Sequence, residues 1–149
     1  MNARAREHRF RRLKEMGCIA SWLDGRMNVP AEIHHLNLGG KAGQARRGDD
    51  CTIPLSAWHH RGEPLPGYTA TRMHEVYGPS LARHSREFRA RYGSDEELLA
   101  KVNDIMRMID DLAGGKEEPT EADVLTEVVK RCERLNWPYR NKAEAHVPD

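Results

Sequence analysis

The alternation of apolar and polar positions divides the chain into a basic start, two short strands and a helical second half. Residues 3–16 carry Arg4, Arg6, Arg9, Arg11, Arg12 and Lys14 with few apolar positions, a pattern of a helical or disordered arm. Ala31–Leu36 and Cys51–Leu55 are short apolar runs and predict two strands. Pro54 has no amide hydrogen to give to a ladder, so the second strand belongs at an edge or a bulge. Between the runs lies a loop rich in glycine and basic residues, Gly39 to Gly48. Arg61 to Gly67, with Pro64 and Pro66, is turn-like.

The second half has a helical period. Pro79 suits a first helical turn, and Leu81, His84 or Ser85, Phe88 and Tyr92 then share one face up to Gly93. Ser94 and Glu97 form a capping box. Leu98, Val102, Ile105, Ile109 and Leu112 follow at helical spacing and Gly114-Gly115 ends them. A last helix opens at Thr120 and turns Leu125, Val128 or Val129, Cys132 and Leu135 inward before Pro138. The pattern divides the chain into a basic arm (1–16), a central unit (17–93) and a helical extension (94–149). No repeat or low-complexity segment interrupts it.

Composition changes this picture in one respect. The 149 residues carry a formal net charge of +1, which by itself suggests no charged partner. Residues 1–93 hold 16 Lys and Arg against 9 Asp and Glu, or +7, and residues 94–149 hold 8 against 14, or −6. A basic front half is a sign of contact with nucleic acid. There is no apolar run long enough for a membrane span or a secretory signal. Cys18, Cys51 and Cys132 are odd in number and far apart, which argues against a disulfide framework and for a reducing cytosol.

Histidine supplies the candidate chemistry. Six of the eight lie between His34 and His84, and two pairs are adjacent, His34-His35 and His59-His60. Each pair sits at or just beyond an apolar run, and neutral imidazole is the commonest metal-binding side chain. On consecutive strand positions, His34 and His35 point to opposite faces. Spacing alone leaves metal ligation level with packed or surface histidines.

At these residues the sequence resembles the HNH nucleases of the β-β-α-metal class, and within them the phage-type recombination enhancement (Ref-like) nucleases that act with the RecA filament. The resemblance rests on Cys18-Ile19-Ala20, Pro30 to Leu36, Thr52-Ile53-Pro54-Leu55, Trp58-His59-His60-Arg61-Gly62 and Phe88 to Leu99. It covers roughly residues 10–105. It implies an α+β fold: a small β-β-α-metal HNH core with irregular loops in 17–93, followed by C-terminal α-helices. It implies a phage or prophage origin, DNA as substrate and a RecA filament as partner. It makes His34 a metal ligand, His35 the general base and His60 a second ligand of the catalytic metal, Mg²⁺ or Mn²⁺, with Zn²⁺ a further candidate. Position 51, near the centre of the motif, is often Asn or His in such enzymes and is Cys51 here, which can ligate a soft metal.

Many relatives also hold a structural zinc, at positions that correspond to Cys18, Ser21, Ser56 and His59. Serine ligates zinc poorly because its alkoxide forms far less readily than a thiolate. A structural zinc is therefore weakened, lost, or rebuilt with Cys51, His74 or His84.

These residue types suit phosphodiester hydrolysis. An imidazole, ordinarily near pKa 6.5, can take a proton from water at neutral pH. A divalent cation stabilises the charge that develops on phosphorus and on the leaving 3′ oxygen. Arg46, Arg47 and Arg61 are candidate phosphate contacts. Two competing readings remain: a non-catalytic nucleic-acid-binding module on a degenerate HNH fold, and a thiol enzyme using Cys51.

Overall fold

The computed structural model describes residues 1–40, 43–114 and 120–135. It is an α+β chain, mostly helical, with one two-stranded antiparallel sheet.

The basic start is a helix, α1 (Ala3–Met16), capped by Asn2, whose side chain accepts from the Ala5 amide at 2.9 Å. It is docked through one stripe, with Leu13 and Met16 buried. Two of its arginines point into the protein. Arg9 donates to the Thr52 hydroxyl (3.0 Å), the Thr52 carbonyl (2.8 Å) and Asn103 (3.1 Å). Arg12 donates to the Met106 carbonyl and to Asp110. Gly17 ends the helix at φ 82°, and a Cβ there would stand 2.8 Å from the Val29 carbonyl oxygen, so only glycine lets the chain turn here.

After α2 (Ile19–Leu23) come β1 (Glu32–His35) and β2 (Thr52–Leu55), each shorter than its apolar run. They pair in the register Glu32 with Leu55, Ile33 with Pro54, His34 with Ile53 and His35 with Thr52. A two-stranded sheet has only edges, which is how Pro54 is accommodated. The connection 36–51 is stapled at its base by Leu36 N–H to the Cys51 carbonyl, Arg47 N–H to the Leu36 carbonyl and Leu38 N–H to the Ala45 carbonyl. Ser56 caps α3 (Ala57–Arg61) directly after β2, accepting from the His59 amide at 3.1 Å. Strand, strand and helix therefore pack together, covered by α1, α2 and α6.

Thr69 caps α4 (Ala70–Tyr77). The predicted helix from Pro79 begins later, as α5 (Ser85–Tyr92). Ser80 is the reason. Its hydroxyl accepts from the Arg83 amide, its own amide donates to His84 Nδ1, and its carbonyl accepts from the His84 amide, locking residues 80–84 in a turn. The Ser94–Glu97 capping box opens α6 (Asp95–Ala113) as predicted. It buries Leu98, Val102, Ile105, Met106 and Met108, while Ile109 and Leu112 are half-buried. In α7 (Glu121–Leu135) the buried residues are Val124 and Val128. The side chains of Cys132 and Leu135 lie outside the described residues.

One core draws on α1, α2, the hairpin, α5, α6 and α7. The basic front and acidic back halves meet across it through Arg12–Asp110, Arg47–Glu96 and Arg89–Asp95. Asp24, at the end of α2, is buried and accepts from Arg91 (2.9 Å) and the Tyr92 hydroxyl (2.6 Å) of α5. Among the described residues no helix is long and apolar enough to cross a membrane.

Candidate active site

Strand alternation puts Glu32 and His34 on one face of β1 and His35 on the other. Helix α3 brings His60 against His34, the ring centroids 4.7 Å apart. His35 meets the edge of Phe10 from α1, at 5.8 Å. His34, His35 and His60 all line one cleft of 370 Å³, with Asn37, Gln44 and Arg46 on its other walls.

Each imidazole has a defined environment. Burial, reinforced by the charge of His60, pulls His34 down to about 4, so it is neutral at neutral pH with a lone pair to offer. His60 Nδ1–H donates to Glu32 at 2.8 Å, which leaves the Nε2 lone pair unused. Glu32 is in turn gripped by Arg61, through Nε at 2.9 Å. Hydrogen bonds from Arg61, then His60, hold the Glu32 carboxyl down to about 2. His35 Nε2–H donates to Asp49 at 3.0 Å, which leaves the Nδ1 lone pair unused. The Asp49 carbonyl accepts from the Thr52 hydroxyl, tying the loop to β2.

Of the three arginines expected to contact phosphate, Arg46 is exposed at the rim of the cleft. Arg47 is paired with Glu96, and Arg61 with Glu32 and Glu63. Glu32 and Asp49 are the residues that the sequence reading did not assign. Glu32 had a signal, because it lies two positions before His34 and so shares its face. Asp49 had none, since only the closure of the loop brings it to His35.

A second polar cluster lies inside the protein. Cys18, Ser21, Ser56 and His59, far apart in sequence, come together there, all buried. His59 Nδ1 lies against Ser56 Oγ (2.8 Å) and Cys18 Sγ (3.4 Å), and His59 Nε2–H donates to the Tyr77 carbonyl (3.0 Å). Burial opposes charge on the Cys18 thiol, but the charge and hydrogen bond of His59 outweigh it and bring the thiol down to about 6. Cys18 likewise raises His59 against the effect of burial. Ser21 Oγ faces the Cys18 thiol and makes no other hydrogen bond. Only two of these four side chains are good zinc ligands, and both are engaged in hydrogen bonds, so the set does not fit a four-ligand zinc. Nor do the substitutes join it. Cys51 packs against the core at the end of the loop, while His74 bonds Glu87 and stacks on His84. Among the described residues no three His, Cys, Asp or Glu side chains form a group able to hold a metal ion.

Converting Ser21 and Ser56 together to cysteine supplies the two missing thiolates. The double variant is expected to retain about one zinc per chain through gel filtration, measured by elemental analysis, with the wild type well below that. Equal zinc content in the two proteins would show that the cluster is not a depleted zinc site.

The class of protein that the chain matches is a nuclease. The chain belongs to the family of recombination enhancement, RecA-dependent nucleases, whose sequence pattern matches residues 3–107. Neither a curated protein nor a solved structure matches it.

Proposed function

We propose that the chain is a metal-dependent DNA endonuclease with a β-β-α-metal (HNH) centre, formed by β1, β2 and α3, and that it works on DNA held with a RecA filament. The observation that carries this reading is the meeting of His34 and His60 at a cleft that His35 and Arg46 also line. His34 and His60, each with a free ring nitrogen, are the two side chains that would hold the metal. A divalent cation there supplies charge neutralisation at the scissile phosphate and at the departing 3′ oxygen. His35 takes the proton of the attacking water at Nδ1, held in that tautomer by Asp49. Glu32 fixes the ring of His60. Arg46 holds a phosphate at the rim, and Arg61 acts first by orienting Glu32. A phage or prophage source is part of the same reading.

Purified protein is expected to nick supercoiled or single-stranded DNA with Mg²⁺ or Mn²⁺, more strongly with RecA. Salt-dependent DNA binding without cleavage under any metal would leave the non-catalytic reading in its place.

Two further results follow from the site. Glu32→Gln is expected to weaken metal binding about 10- to 100-fold, read by calorimetry, because His60 loses its charged orienting partner. His34 gives a pH signature. Its folded pKa of about 4 lies below the ordinary 6.5, so the unfolded chain takes up a proton in that interval that the folded chain does not. The contribution of His34 is fully present above pH 6.5 and is lost as pH falls towards 4, at most about 3 kcal/mol. Urea midpoints in EDTA at pH 7 and pH 4.5 should differ less in His34→Phe than in the wild type. Equal differences would rule out a buried neutral His34.

A further inference from the structure

The connection 36–51 serves two neighbouring clefts. The first is the histidine cleft. The second, of 310 Å³, is lined by Arg47 from the connection, Arg89 from α5, Ser94 and Glu96 at the start of α6, and Asn37. Asn37 lines both clefts, so they share a wall. Successive residues of the connection supply them, Arg46 to the first and Arg47 to the second.

In the second cleft each arginine holds one carboxylate from the first turn of α6. Arg89 donates to Asp95 at 2.7 Å, and Arg47 is paired with Glu96. The two pairs differ in exposure. The Asp95 side chain is 13 % exposed and Glu96 is 72 % exposed. Glu96 can therefore swing into water by rotation about its own bonds, and an ion pair with so exposed a partner holds weakly and is screened by salt. Arg89 keeps its pair with Asp95 when Glu96 leaves. A guanidinium fork that fits a carboxylate also fits a phosphate oxygen pair.

We propose that this second cleft is a phosphate subsite, in which Arg47 and Arg89 hold a phosphodiester of the bound strand beside the one at the histidine cleft, and that Glu96 occupies Arg47 in the free protein and is displaced by that phosphate. The subsite rests on the nuclease reading of the histidine cleft. Asp95 remains with Arg89 and orients it.

The test is binding of a fluorescently labelled single-stranded oligonucleotide by anisotropy, over a salt series, in EDTA so that no cleavage occurs. Arg47→Ala is expected to weaken binding about tenfold and to lower the slope of log K against log salt by about 0.7, the loss of one phosphate contact on a single strand. Arg89→Lys keeps the ion pair with Asp95 but loses the planar fork, and binds several-fold more weakly. Glu96→Gln binds several-fold more tightly at low salt, an advantage that fades as salt rises. Glu97→Gln makes the same change of charge one residue away, outside this cleft, and has little effect. Glu96→Gln binding no tighter than wild type, Glu97→Gln tightening binding equally, or Arg47→Ala keeping the full slope would each overturn the subsite. A wild-type protein that binds no DNA overturns the nuclease reading itself. One that binds and cleaves, with these variants unchanged, overturns the subsite alone.

Discussion

His35→Ala is expected to lower DNA cleavage about 10²- to 10⁴-fold, the usual contribution of a general base, while thermal stability and DNA affinity in EDTA stay at wild-type values. The separation follows from the geometry. His35 is on the opposite face of β1 from Glu32 and His34, and its contacts are Phe10 and Asp49 rather than His60. Its removal leaves the His34–His60 pair and the Glu32–Arg61 grip as they are. Asp49→Asn is the companion experiment. An amide oxygen can still accept from His35 Nε2–H and hold the tautomer, but without the charge that stabilises an imidazolium once the proton has been taken. Asp49→Asn should therefore fall between wild type and His35→Ala in rate, with substrate affinity unchanged. A His35→Ala protein that cleaves at the wild-type rate would remove His35 from the chemistry, and one that loses DNA binding together with cleavage would make it a binding residue.

The largest effect on stability is expected at Asp24. Its carboxylate is 1 % exposed and takes hydrogen bonds from Arg91 and from the Tyr92 hydroxyl. Burial, together with the Asp24 charge, pushes the Tyr92 phenol well above its usual range, so that hydroxyl stays a donor at any working pH. Asp24→Ala leaves the Arg91 guanidinium without its carboxylate and the Tyr92 hydroxyl with only the long bond to the Tyr77 carbonyl at 3.4 Å. Breaking a buried pair from one side costs about 3–5 kcal/mol, which for a chain of this size is roughly 10 °C or more in Tm. Asp24→Asn keeps an acceptor and should lose less. Thermal melts followed by circular dichroism decide it, and an Asp24→Ala protein melting within a degree or two of wild type would show that α2 and α5 are held by apolar packing alone. The site is coupled to this cluster. Tyr92 packs edge-on to His59, with ring centroids 5.8 Å apart, and His59 immediately precedes His60. Asp24→Ala should therefore reduce cleavage as well, through disorder of α3.

What was legible in the sequence follows the range of each interaction. The capping box and apolar stripe of α6 are contained in the helix itself, and the structure has that helix where the pattern puts it. The two apolar runs mark the hairpin for the same reason. The five-residue helices α2 and α3 hold too little of a helical period to show one, and every residue of α2 is buried, so it has no polar face to read. The start of α5 was misplaced because Pro79 is an equally good residue for the turn that Ser80 locks. The buried set at Cys18, Ser21, Ser56 and His59 was read through family resemblance, and the structure brings all four together. Asp49 was invisible, since nothing near position 49 says that the loop will close over His35.

The sequence by itself determined which reactive residue types the chain carries and in which segments. Paired histidines stand at a strand and a helix, and a basic front half precedes an acidic back half. Those are properties of residue type and local period, and alternation alone was enough to place His34 and His35 on opposite faces. Only the tertiary structure decided which of these groups meet. It set His60 against His34, gave Glu32 to His60 and Asp49 to His35, and placed Arg47 and Arg61 in ion pairs while Arg46 stays open at the rim. The physical reason is that a period fixes a direction within one element, whereas a partner across a loop is fixed by how the elements pack.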